Sequence, residues 1–182
     1  MRFFVLGFLV FTLAGAAVPR ATTLVPADLG ELSRDALAIV RGRVVKVDGR
    51  WTDDRRGIET IVTLDVDEYL KGTLGPTVQF RVPGGLLGRF RSIVAGAPRF
   101  AVDDRVVVFL GAKGPMIPYL VGFSQGLYRV VRDPASRDAW RVTPPVPAAD
   151  APASVARGDA SRVPLPLDVF EARVRALAGT GR

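Results

Sequence analysis

Cysteine and histidine are both missing from the 182 residues of this chain. Without cysteine there are no disulfides, no thiolate nucleophile and no lipid-bearing N-terminal thiol. Without histidine, ordinary zinc sites and every nucleophile–histidine pair are excluded as well. Lysine is nearly absent: of 25 basic residues only Lys46, Lys71 and Lys113 are lysines, and none stands in a Ser-x-x-Lys arrangement that would activate a serine. What the chain does have is apolar and basic. A 48% hydrophobic content with a formal charge of +7 describes a globular protein, not a disordered one. No cofactor, metal or catalytic residue is expected, and the chain reads as a non-enzyme.

The N-terminus, Met1-Arg2 followed by the apolar run Phe3 to Leu13 and then Ala14-Gly15-Ala16-Ala17, reads as an export signal over residues 1–16, cleaved after Ala16. The apolar stretch is shorter than the roughly 20 residues of a spanning helix. The expected location is therefore periplasmic or secreted, and a chain without free thiols suits an oxidising compartment. Towards the other end, residues 143–166 carry Pro144, Pro145, Pro147, Pro152, Pro164 and Pro166 among small residues without periodicity, the composition of a flexible linker. Residues 167–182 form a C-terminal helix and tail. Phe170, Val174 and Leu177 share a face at i, i+4 and i+7, Asp168 with Glu171 is capping-box-like, and the spacing predicts a helix from about Val169 to Ala178. So short a helix needs a receiving surface, on this domain or on a partner.

The body between, residues 17–142, starts with a short amphipathic helix over residues 26–36 (Leu29, Leu32 and Ala36 on one face), after which the pattern turns to strands. An extended stretch runs from Leu37 to about Asp48 with a bulge at Gly42, and Asp53 to Gly57 turns the chain. Thr60, Val62, Leu64 and Val66 then alternate against Glu59, Ile61, Thr63, Asp65 and Asp67, predicting one buried and one wet face. Val78, Phe80 and Val82 make a third strand, and a loop follows Pro83-Gly84-Gly85 with a short strand near Ile93-Val94. Val106 to Leu110, Tyr119 to Phe123 and Leu127 to Val131 supply further strands, and Trp140 to Val142 a last edge. Long first strands, glycine breaks and a body of this size predict a mainly β chain built as a small closed antiparallel β-barrel of the OB type, with an N-terminal helix, a flexible linker and a C-terminal helix.

The runs Ala38-Ile39-Val40-Arg41-Gly42-Arg43-Val44 and Thr63-Leu64-Asp65-Val66-Asp67-Glu68-Tyr69-Leu70-Lys71-Gly72, with Gly96-Ala97-Pro98-Arg99-Phe100 and Asp104-Arg105-Val106-Val107-Val108-Phe109-Leu110, resemble the netrin-like or tissue-inhibitor-of-metalloproteinase-like OB domains of exported bacterial proteins. The resemblance spans roughly residues 36 to 131 and rests on strand spacing and a few glycines. It implies a barrel of unassigned function. In the animal inhibitors an N-terminal cysteine chelates the catalytic zinc, so the missing cysteine carries over no inhibitory residue.

Among candidate chemistries, Asp65 and Asp67 lie two apart on a strand, roughly 6.5 Å along it, near the carboxylate separation of inverting glycosidases. Any strand with alternating polar residues gives that spacing, so the pair is read as a solvated face. Asp53-Asp54, Asp103-Asp104 and Ser124 are read as turn residues. Neither Gly84, Gly85 and Gly88 nor Gly111-Ala112-Lys113-Gly114 has the Gly-Lys-Ser/Thr ending of a phosphate loop.

One charge feature remains. From Tyr69 to Val102 there is no acidic residue, while Lys71, Arg81, Arg89, Arg91 and Arg99 are interleaved with Phe80, Phe90 and Phe100. Guanidinium groups beside rings suit an anionic ligand; against that, the phenylalanines suit a core and the stretch a solvated loop. The candidate ligand-binding residues are Arg81, Arg89, Phe90, Arg91 and Arg99. The partners they suggest are an anionic envelope polymer, a lipid headgroup or an acidic protein, with nucleic acid disfavoured by export. The alternatives are a protease inhibitor or protease-associated domain acting without cysteine and, last, a hydrolase using Asp65 and Asp67.

Overall fold

The structure, a computed structural model, describes residues 27–114, 116–145 and 163–179. The export signal over residues 1–16 and linker residues 146–162 lie outside the described residues. In chain order the elements are helix α1 (Leu29–Asp35), strands β1 (Ala38–Trp51), β2 (Ile58–Lys71), β3 (Thr77–Pro83), β4 (Gly85–Leu87), β5 (Phe90–Ser92), β6 (Arg105–Gly111), β7 (Tyr119–Leu120), β8 (Leu127–Asp133), β9 (Ser136–Thr143) and β10 (Leu165–Pro166), and helix α2 (Leu167–Gly179). The chain is mainly β. One large sheet runs β1-β2-β3-β7-β6-β8-β9-β10, β6 pairs with β1 as well, and β4–β5 form a separate hairpin. The large sheet is mixed: its pairs are antiparallel except β3–β7, which meet in parallel at Arg81 and Tyr119.

Two apolar layers follow from this pairing. Val40, Val44, Val62, Leu64, Phe80, Val82, Val106, Val108 and Leu110 meet in one cluster. Ile39, Val107, Phe109, Tyr128, Val130 and Val142 point the opposite way and meet Leu29 and Leu32 of α1 with Phe170 and Val174 of α2. Strand β6 is thus buried on both faces, which is why residues 106–110 are an unbroken apolar run instead of an alternating one.

Helix α1 is fixed at its start by a reciprocal capping box: Asp28 accepts from the Glu31 amide at 2.7 Å and Glu31 accepts from the Asp28 amide at 3.0 Å. At its end, Lys71 Nζ donates to the Ser33 and Arg34 carbonyls at 2.7 and 3.0 Å. Helix α2 docks back on this chain. Beyond its apolar face, Glu171 and Arg175 join Arg41 and Glu68 in an ion-pair cluster, with Arg41 reaching Glu68 at 2.9 Å and Asp67 at 3.7 Å.

Several expectations need adjusting. Strand β2 was expected to have one wet face, yet Glu59, Ile61 and Thr63 are buried with Val62 and Leu64, and only Asp65 and Asp67 are exposed. Arg50 explains part of this, because its guanidinium reaches Glu59 at 2.6 Å across the β1–β2 pair. The short strand expected near Ile93-Val94 is displaced to the hairpin β4–β5, and Phe123–Gly126 is a 3-10 turn, so β7 is only two residues long. Trp140 to Val142 is not an edge, because Leu165 and Pro166 at the end of the expected linker pair with Val142 and Arg141.

Candidate functional site

The hairpin β4–β5 and the loop after it, residues 93–100, arch over the far ends of β1, β2 and β3 and border a half-open cavity of about 560 Å³. Its floor continues the interior apolar face: Val47 and Thr60 lie on the side of the strands that also presents Val62 and Val82. Phe100 closes the floor against Phe80, edge to face with ring centroids 5.3 Å apart. Leu86, Ile93, Val94, Ala97 and Pro98 supply most of the remaining wall, and Arg91 and Arg99 are the charged residues in it. Among the described residues no carboxylate lines the cavity.

Glycines let the arch come this close. A Cβ on Gly49 would stand 1.8 Å from the Leu86 carbonyl oxygen, and one on Gly85, whose φ is +137°, would stand 2.2 Å from Thr60 Oγ1. Thr60 Oγ1 donates to the Gly84 carbonyl at 2.7 Å and the Gly84 amide donates to the Ile58 carbonyl at 2.9 Å, tying the hairpin base to β2. On the other side, Arg129 donates to the Arg99 carbonyl at 2.6 Å while its other nitrogen reaches Asp104 at 2.6 Å. The Gly96 carbonyl accepts from the Ser124 amide at 3.0 Å. The backbone that presents Arg99 is therefore anchored at Gly96 and at Arg99 itself.

The five sequence candidates separate. Arg91 and Arg99 come together in the cavity wall. Arg89 and Phe90 sit beside it at the hairpin tip, where the guanidinium is 5.2 Å from the Phe90 ring and that ring is 5.5 Å from Trp51. Arg81 is elsewhere: Phe80 and Val82 are buried in the interior, so Arg81 between them points to the opposite face of β3. Lys71, from the same acid-free stretch, is engaged with α1. Of the phenylalanines, Phe80 is core, Phe100 is cavity floor and Phe90 is exposed.

Arg41, Arg43, Arg50, Arg105, Arg129, Arg141 and Arg175 each face a carboxylate. In contrast, Arg89, Arg91 and Arg99 form no ion pair among the described residues. Trp51, Val47 and Gly49 were not expected at the site; pairing with β2 carries β1 through Asp48 and Gly49, both poor strand formers, as far as Trp51, so propensity gave no signal for that reach.

The carboxylates considered for catalysis find no cavity. Asp67 faces Arg41 and Arg105, Asp65 lies opposite Arg43 on the exposed part of β2, and neither lines the arch. Asp54 accepts from Thr52 Oγ1 and the Arg56 amide, bonds that hold its carboxyl below the usual range, as a turn residue does. Among the described residues no three carboxylates gather as a metal site, and no helix is long and apolar enough to cross a membrane. No protein-family model, curated protein or solved structure matches the chain.

Proposed function

We propose that this chain is an exported, non-catalytic binding module of the OB-barrel kind, taking an anionic ligand with an apolar body at the arch. The barrel reading is supported by a circuit of strand pairs, β1 to β2 to β3 to β7 to β6 and back to β1, together with the netrin-like pattern of residues 36–131. The observation that carries the ligand reading is the pair Arg91 and Arg99 in a carboxylate-free, mostly apolar cavity of about 560 Å³. That volume and composition lie in the range of small-ligand sites, in which a few polar groups fix orientation and apolar walls supply contact. Two guanidinium groups without counter-charges among the described residues are poised for carboxylate, sulfate or phosphate, because an anion there breaks no ion pair between those residues.

The test is charge reversal. Arg91→Glu with Arg99→Glu should abolish retention on an anionic matrix at low salt. The melting temperature should stay within a degree or two, since exposed side chains without partners contribute within about 0.5 kcal/mol. Unchanged retention would discard the reading.

A further inference from the structure

We infer that the two hairpin tips beside the cavity dock on an anionic bilayer surface, the apolar side chains entering the headgroup boundary and the arginines meeting lipid phosphates; this rests on the anion-binding reading and names its partner. Trp51, at the end of β1, and Phe90, at the start of β5, hold each other at 5.5 Å and remain 42% and 47% exposed. Leu86 and Ile93, on and just after the same hairpin, are 65% and 74% exposed, more than any other large hydrophobic side chain among the described residues. By the alternation of the hairpin Leu86 and Arg91 share one face and Phe90 stands on the other with Trp51, so a hairpin that enters tip first presents exposed apolar groups on both of its faces. Around them stand Arg89, Arg91 and, on the turn that follows Trp51, Arg55 and Arg56. Asp53 and Asp54 on that turn offset part of the charge, Asp54 being occupied by Thr52 and the Arg56 amide.

The chemistry of this patch favours a bilayer over its competitors. An aromatic pair with guanidinium groups would also stack on a glycan or on bases. Leu86 and Ile93 have no flat face to stack and gain only by leaving water, which an acyl boundary provides and a polar polymer does not. Indole and phenyl rings settle at headgroup depth, and phosphates there complement arginines that form no ion pair among the described residues.

The experiment uses vesicles of equal parts phosphatidylglycerol and phosphatidylcholine, against phosphatidylcholine alone. Trp51 and Trp140 are the two tryptophans, so the Trp140→Phe variant reports Trp51 emission by itself, and cosedimentation of the unaltered protein gives the same reading without a substitution. Binding to the anionic vesicles with a blue shift of Trp51 is expected, and none to phosphatidylcholine. Leu86→Ser with Ile93→Ser should lower vesicle affinity roughly tenfold, far more than it lowers retention on an anionic matrix that offers no apolar phase. Each arginine lost from the tips should lower it about fivefold. If the Leu86/Ile93 variant binds vesicles as well as wild type, or if Trp51 shifts with a soluble acidic polysaccharide and not with vesicles, the bilayer inference is overturned and the anion-binding reading stands. Wild-type protein that binds neither vesicles nor the anionic matrix overturns both.

Discussion

At Gly49 an added methyl would stand 1.8 Å from the Leu86 carbonyl oxygen, inside the distance any two such atoms tolerate, and the obstacle is backbone. Gly49→Ala must therefore lift β4 off β1. The expected loss is about 2 kcal/mol, in the range of overpacking, with a matching fall in the denaturant midpoint. Ligand retention should weaken alongside, because Leu86 and Arg91 are cross-strand partners and move with the hairpin. Gly57→Ala is the control: the nearest atom to its added methyl is 3.7 Å away, and stability should hardly change. Residue by residue, the sequence disclosed which side chains were basic and acid-free but not which would be without partners. Arg81 and Arg91 look alike in a row of residues. Only alternation across β3 sends Arg81 to the outer face, and only the turn at Gly88-Arg89 folds Arg91 back over the cavity. Lys71 reads as part of the same charged stretch, and its use at the end of α1 depends on a helix 38 residues earlier in the chain.

At the scale of elements, helix α2 is held by an apolar face and by a cluster whose two glutamates respond oppositely to pH. Hydrogen bonding from Arg41, foremost, keeps Glu68 below the usual glutamate range, aided by the charges of Arg175 and Arg41 and against partial burial. Burial, foremost, pushes Glu171 up; Arg41 approaches it to 2.8 Å at Nε without hydrogen-bond alignment and only partly offsets that. For Glu68 the folded value lies below the unfolded one, so its stabilisation is present above about pH 4.3 and is lost as pH falls through the folded value. For Glu171 the folded value lies above the unfolded one, so its cost is absent below about pH 4.3 and grows as pH rises through the folded value. Glu68→Gln should then lose about 1 kcal/mol near neutral pH and show a flatter acid limb in a stability–pH curve. Glu171→Gln should lose less near neutrality and keep that limb; equal curves for the two variants would contradict the assignment. Elements with clear periodicity were legible: α2, β3 and the buried run of β6 stand close to where residue spacing put them. The hairpin β4–β5 was not, because strands of three residues leave no period to read, and β10 is two residues beside prolines whose pairing with β9 no residue pattern marks.

At the scale of the whole molecule, the charge of +7 on a chain that also pairs most of its sheet arginines raises a question of distribution. If attraction to anions were a property of total charge, any two reversals would weaken it alike, because only the sum of the charges would matter. If it belongs to the arch, position decides. Arg34 lies on α1 in the helical layer and Lys113 on the loop after β6, both exposed and neither lining the cavity. Arg34→Glu with Lys113→Glu lowers the net charge as much as Arg91→Glu with Arg99→Glu. The first pair should therefore elute from an anionic matrix at only slightly lower salt than wild type, while the second should not be retained. Equal displacement of the two variants along a salt gradient would make recognition a matter of overall charge and leave the cavity without a part in it.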